Sequence, residues 1–268
     1  MALDGFRHTE MVDQLDQGTF DLLIIGGGIT GVGVALDAAT RGLRVALVER
    51  DDFASGTSSK SSKLVHGGLR YLQQGEIRLV DEALHERQRL RRNAPHLVRV
   101  LPFMIPVLTK DSVVSRKIAR ALGSAMWMYD VTGGWRIGRI HRRLKADAAF
   151  AHLPTMPRER LRSAYLYFDA TADDARLCLT VARTAAAHGA VVVNRCTVTT
   201  ITKDAVGKAN GAVVSVDDRD LTIRARVVVN AGGVWADDVR AMDEGRHPDS
   251  IRPAKGVHVT AAFRARST

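Results

Sequence analysis

The run Asp21-Leu-Leu-Ile-Ile-Gly-Gly-Gly-Ile-Thr-Gly31 joins a continuously apolar segment to glycines at Gly26, Gly28 and Gly31, the spacing G-x-G-x-x-G. An apolar run that halts at glycine predicts a short buried strand over 21–25. Beyond it, Val32, Ala35, Leu36 and Ala39 recur at helical spacing, which predicts a helix from Val32 to Arg41 closed by Gly42. Leu43 to Val48 predicts a second buried strand, ending at Glu49. Strand, helix and strand fall within about 30 residues, the size of a βαβ crossover. In such a unit the first glycine permits the tight turn, the second lets a pyrophosphate approach the backbone, and the third lets helix and strand pack closely. Free amides at the helix start hold phosphates. Glu49 is placed to accept hydrogen bonds from a ribose diol, and its charge would repel a 2′-phosphate.

Further along, Asp51 to Gly68 is rich in Ser and Gly and predicts a loop. Glu76 to Asn93 predicts a long helix with Ile77, Val80, Ala83, Leu84 and Leu90 on its apolar side, stopped by Pro95. Ser112 to Tyr129 and Asp174 to His188 predict two more helices, with Asp173 and Asp174 as N-caps of the second. The texture then turns to short β-type runs at Val191–Val193, Thr197–Thr202, Ala212–Val216, Leu221–Arg224 and Val227–Asn230, with Asp217-Asp218 as a hairpin turn. Gly256 to Thr260 reads as one more strand, and no closing element follows it. The late run Val227-Val-Val-Asn-Ala-Gly-Gly-Val-Trp235 ends in small residues, which let backbone pass close to a dinucleotide held by the first unit. With the N-terminal fingerprint and a β-rich insertion, it favours FAD over NAD.

The chain has 268 residues, 46% hydrophobic and 25% charged, the mix of a soluble globular protein and enough to bury a core. Two cysteines, Cys178 and Cys196, exclude a disulfide framework and a four-cysteine zinc site. No metal is expected, and a reducing, cytoplasmic setting is. Met1 to Phe20 has four acidic residues and no apolar core, so it does not read as a signal peptide. The net charge of +10 comes from one block: residues 86–145 carry 14 basic and 3 acidic side chains. Such a block suits anionic lipid, phosphorylated small molecules or nucleic acid, but no nucleic-acid motif accompanies it. Ser115 to Tyr129, with cations at one end and Met126, Trp127, Met128 and Tyr129 at the other, suits an anionic membrane interface.

At Thr57-Ser-Ser-Lys-Ser-Ser-Lys-Leu-Val-His-Gly-Gly-Leu-Arg-Tyr-Leu72 the chain resembles the FAD-dependent, quinone-linked glycerol-3-phosphate dehydrogenases. The resemblance runs from about Phe20 to Thr260 and includes Asn93–Leu97, Asp173–Leu177, Asn230–Trp235 and Arg252–His258. It implies oxidation of sn-glycerol 3-phosphate to dihydroxyacetone phosphate, with hydride transfer to FAD and electrons passed to quinone. Gly26, Gly28, Gly31, Glu49, Ser58, Ser59, Ser62, His66, Gly68, Val198, Ala231 and Gly232 are the implied cofactor residues. Arg70, beside Tyr71, is implied at the substrate phosphate, where a guanidinium fork offers two parallel hydrogen bonds. His258 is the implied base for the hydroxyl proton. The expected fold is α/β, a Rossmann-like FAD-binding βαβ sheet with an inserted β-rich substrate region, truncated at the C-terminus. Residues 1–19 are expected as an N-terminal extension and 20–268 as an incomplete oxidoreductase domain with a basic helical block at 86–145. The alternatives are a catalytically silent FAD-binding fragment and a related FAD-dependent amino-acid oxidase. The expected location is the cytoplasm, on the inner face of the cell membrane where contact is made.

Overall fold

The computed structural model describes residues 6–72, 74–108, 116–152, 154–254 and 256–257, with backbone only at Arg70, Leu72 and 116–121. The strands are β1 Thr19–Ile25, β2 Val45–Val48, β3 Leu64–Val65, β4 Val98–Leu108, β5 Arg142–Lys145, β6 Leu161–Ala172, β7 Val191–Val193, β8 Thr197–Lys203, β9 Ala209–Val216 and β10 Arg219–Asn230. The α-helices are α1 His8–Gln17, α2 Ile29–Thr40, α3 Leu69–Leu72, α4 Ile77–Asn93, α5 Arg116–Thr132, α6 Ala146–His152, α7 Asp174–Ala187 and α8 Ala236–Glu244. They fall into two compact units, Met1–Ser61 with Asp174–Thr268, and Ser62–Asp173.

The first unit is built on a six-stranded sheet in the order β7-β2-β1-β10-β9-β8. Its first four strands run parallel and β10, β9 and β8 antiparallel. Both faces are covered, which is why the parallel strands read as unbroken apolar runs. Leu23, Ile25, Ala46 and Val48 point into one core with Met11, Val12 and Leu15 of α1. Ile24, Val45 and Leu47 point into the other with Val32 and Ala35 of α2 and Cys178, Ala182 and Ala185 of α7. The stretch expected as an N-terminal extension therefore supplies a helix to this core. Asp217 and Asp218 both take positive φ, 49° and 59°, as a two-residue hairpin of the type I′ class requires.

Two runs expected as separate strands, Leu221–Arg224 and Val227–Asn230, are one strand, β10. Leu221, Ile223 and Ala225 are buried while Thr222, Arg224 and Arg226 face outward, so Arg226 continues the alternation and does not end it. The first half of β10 pairs with β9 and the second half with β1, bringing Asn230 level with Ile25.

The second unit carries an antiparallel sheet in the order β3-β6-β4, with β5 also on β6. This unit holds most of the basic block, and 86–145 is not uniformly helical: it contains β4 and β5 as well as α5 and the end of α4. Pro102 and Pro106 argue against a strand in sequence. They are tolerated because they lie four residues apart, turn the same way, and β4 pairs only with β6 among the described residues. On α4 the buried positions are Val80, Leu84 and Arg87, whereas Ile77 is exposed. Gly256 and Val257 have no regular structure, and the rest of the strand expected there lies outside the described residues.

Both thiols are buried, and burial pushes Cys178 up to about 11 and Cys196 up to about 12, with Glu49 and Asp174 adding to the first and Asp217 to the second. The folded chain is expected to resist iodoacetamide at pH 8.5, with labelling appearing only on unfolding. Because the folded values are raised, the thiols' contribution to stability is complete below pH 9 and declines as pH climbs toward 11 and 12. Rapid labelling of the native chain would place a thiol at the surface.

Candidate dinucleotide-binding site

β1 lies between β2 and β10, so its carboxyl end opens on the crevice where strand order reverses, the place where α/β sheets take ligands. Gly26 makes the turn there with φ +115°, a conformation that favours glycine. Gly28 caps α2. Gly31 sits one turn inside the helix, and a β-carbon on it would lie 1.9 Å from the Gly26 carbonyl oxygen and 3.3 Å from Ala231 Cβ. The close approach of helix, turn and late strand therefore depends on a hydrogen atom at residue 31. At Gly28 a β-carbon would meet only Ser58 Oγ, at 3.1 Å.

Glu49 ends β2 with its carboxylate fixed by two backbone amides: Oε2 accepts from Gly27 at 2.5 Å and Oε1 from Asp51 at 2.9 Å. A carboxylate offers about four lone-pair sites, so two backbone donors leave capacity for ribose hydroxyls. Ser58 stands in a 3-10 turn, Thr57–Ser59, and its Oγ accepts from the Ile29 amide at the start of α2 at 2.9 Å. Asp174 fixes this loop to α7: its carboxylate accepts from Ser61 Oγ at 2.7 Å and from the Ala175 amide at 2.9 Å. Asp174, expected as an N-cap, is the first residue of α7, and its carboxylate accepts from the adjacent amide and from Ser61 in place of a capping bond to the first turn.

These elements enclose a cavity of about 330 Å³, at the low end for small-molecule sites. Gly26, Gly28, Glu49, Ser58, Val198, Ala231 and Gly232 line it, Gly31 stands behind the turn, and Ser59 is next to Ser58 in the same 3-10 turn. Ser62, His66, Gly68, Arg70 and Tyr71 belong to the second unit. There Gly68, at φ +69°, donates its amide to His66 Nδ1 at 2.9 Å, and Arg70 and Tyr71 lie on the short α3. His258 lies outside the described residues.

The sequence reading named no role for Arg50, Cys196, Trp235, Val239 or Met242, which also line the cavity. The Arg50 guanidinium lies 4.8 Å from the Trp235 ring centre, within cation–π range. Trp235 and Met242 remain half-exposed, at 39% each. Their spacing with Val239, four and then three residues, is one helical stripe, of which Val239 packs against the core and the other two stay half-exposed. That stripe, directly after Ala231-Gly232, is the signal that could have found this wall.

The profile of the FAD dependent oxidoreductase family matches residues 21–267. A glycerol-3-phosphate dehydrogenase of Mycobacterium leprae (strain TN) is 47% identical over 247 residues, 90% of this chain and 40% of that protein. An aerobic glycerol-3-phosphate dehydrogenase of Staphylococcus aureus (strain USA300) is 40% identical over 97% of this chain and 46% of its own length. The chain thus spans less than half of these relatives. Among solved structures, the glycerol-3-phosphate dehydrogenase from Bacillus halodurans complexed with FAD superposes with a TM-score of 0.66 at 32% identity, over 88% of this chain and 38% of that one. An L-proline dehydrogenase from P. horikoshii reaches the same TM-score at 17% identity and shares the fold. By its match over nearly its whole length, the chain belongs to the FAD dependent oxidoreductase family.

Proposed function

We propose that this chain takes part in the oxidation of sn-glycerol 3-phosphate to dihydroxyacetone phosphate. The observation that carries the reading is the similarity to glycerol-3-phosphate dehydrogenases across most of the chain, which includes the Ser58-to-Tyr71 segment. The site accommodates FAD: Gly26, Gly28 and the start of α2 would hold the pyrophosphate, Glu49 the ribose, and Val198, Trp235 and Met242 the apolar wall around the adenine. Bound FAD supplies the acceptor for the carbinol hydride and passes its electrons to a quinone. Arg70 recognises the substrate phosphate beside Tyr71, and His258 takes the hydroxyl proton.

A quinone acceptor calls for contact with a membrane. Among the described residues no helix is long and apolar enough to cross one. Trp127, Met128, Val131, Trp135 and Ile140 are exposed within a stretch that also carries Arg136, Arg139, Arg142 and Arg143. Aromatic and aliphatic side chains among arginines suit a peripheral seat on anionic lipid at the inner face of the cell membrane.

The test is purification of the chain, an absorbance spectrum, and a glycerol-3-phosphate-dependent dye-reduction assay. Flavin absorbance with dye reduction supports the reading. Flavin without reduction favours a silent FAD-binding fragment. Reduction by an amino acid in place of glycerol 3-phosphate would overturn the substrate assignment. Arg70→Lys is expected to raise KM for glycerol 3-phosphate about thirtyfold with flavin content unchanged, since replacing a bidentate charged contact by a point charge costs about 2 kcal/mol. An unchanged KM would place the phosphate elsewhere.

A further inference from the structure

Arg87 of α4, Tyr129 of α5 and Asp169 of β6 meet in the interior of the second unit. Arg87 Nη1 donates to Asp169 Oδ1 at 2.7 Å and to Tyr129 Oη at 3.0 Å, and Tyr129 Oη donates to Asp169 Oδ2 at 3.0 Å. The tyrosine hydroxyl has one proton to give, and it goes to Asp169. Gly67 is held against the same group by shape: a β-carbon there would lie 2.2 Å from Leu84 Cδ2 and 2.8 Å from Tyr129 Oη. Burial, and then the charge of Asp169, raise the Tyr129 pKa far above its ordinary value, so the hydroxyl keeps its proton.

The loop that starts at Gly67 is stiff beyond it. Gly68 donates to His66, and its carbonyl accepts from the Tyr71 amide at 2.7 Å, which starts the turn carrying Arg70. Tyr71 packs back on Val80, Leu84 and Tyr129. Fixing Gly67 therefore fixes the direction of the short helix that carries both proposed phosphate contacts.

We propose that Tyr129 is a positioning residue for substrate recognition: anchored by Arg87 and Asp169, its hydroxyl end packs against Gly67 and so sets the orientation of the loop bearing Arg70 and Tyr71. This inference rests on the assignment of those two residues to the substrate phosphate. A neighbouring tyrosine provides the control. Tyr167 packs edge-on against Tyr129, with ring centres 6.2 Å apart, and no hydrogen bond of its hydroxyl is recorded among the described residues. Tyr167→Phe removes a hydroxyl from the same cluster without touching Gly67.

The experiment compares Tyr129→Phe and Tyr167→Phe in the full, FAD-loaded chain. Glycerol 3-phosphate binding is measured by calorimetry and amide exchange is followed at residues 66–71. Tyr129→Phe removes both anchors, the bonds to Arg87 and Asp169, and is expected to weaken binding roughly tenfold and to speed exchange at Gly67 and Gly68. Tyr167→Phe is expected to change neither, and both variants are expected to keep wild-type flavin content. Equal behaviour of the two variants would overturn the proposal and reduce Tyr129 to a packing residue. If the wild-type chain binds no glycerol 3-phosphate, the substrate assignment falls. Faster exchange in Tyr129→Phe alone would then uphold the clamp, and unchanged exchange would remove it as well.

Discussion

Gly28→Val is expected to yield a folded chain that carries no flavin. The backbone at residue 28 has φ −77°, which any residue adopts, and a β-carbon there meets only the Ser58 hydroxyl. The fold should therefore survive. The two methyl groups, however, would stand at the start of α2, inside the cavity wall and beside the amides that face the pyrophosphate. Gly31→Ala is the contrasting case. Its single added carbon would lie 1.9 Å from the Gly26 carbonyl, so helix and turn must separate, and flavin and stability should be lost together. Flavin absorbance and circular dichroism on both variants separate the two outcomes. Wild-type flavin content in a folded Gly28→Val chain would show that the pyrophosphate lies elsewhere.

Arg87→Ala is expected to be the most destabilising single substitution in the second unit. The Arg87 and Asp169 side chains are 1% and 3% exposed and in direct contact. Removing the cation leaves a carboxylate in the interior with only Tyr129 for company, and breaking a buried pair in this way costs about 3–5 kcal/mol. Among the described residues Arg87 Nε has no hydrogen-bond partner, so the pair is not fully satisfied even in the native fold. The double substitution Arg87→Met, Asp169→Leu should for that reason recover most of the loss. Urea midpoints for both singles and the double form a cycle that measures the coupling. Additive losses would show that the two groups are solvated in the native chain.

Arg87 also shows where sequence reading fails. In Glu86-Arg-Gln-Arg-Leu90 it is easily passed over as one more charge among several, although it falls on the apolar side of the helix, three residues after Leu84 and three before Leu90, whereas Arg89 does not and is exposed. Its burial is decided by Asp169, 82 residues away. The dinucleotide turn lies at the opposite extreme. Gly26, Gly28, Gly31 and Glu49 act through conformation and spacing inside one βαβ unit, so the place of Gly26, Gly28 and Glu49 on the cavity wall, and of Gly31 behind the turn, was readable from residues alone. β4 was hidden by Pro102 and Pro106, whose cost depends on which edge of the strand is paired. Trp235 and Met242 share with Val239 a helical stripe that is visible in the sequence, but they become a cavity wall only once α8 is set beside β8 and β10.

The division of β10 between two ladders has a consequence for the order in which the chain assembles. Ile25 pairs with Asn230, so a ribosome making roughly 5–20 residues each second releases the partner of β1 some 10–40 s after β1 itself. During that interval the nascent β1 has an open flank, with Leu23 and Ile24 lacking the neighbours that bury them. The strands of the second unit pair only among themselves, within 64–172, and can close while synthesis continues. The dinucleotide cradle opens with β1 and closes only once β10 has joined it.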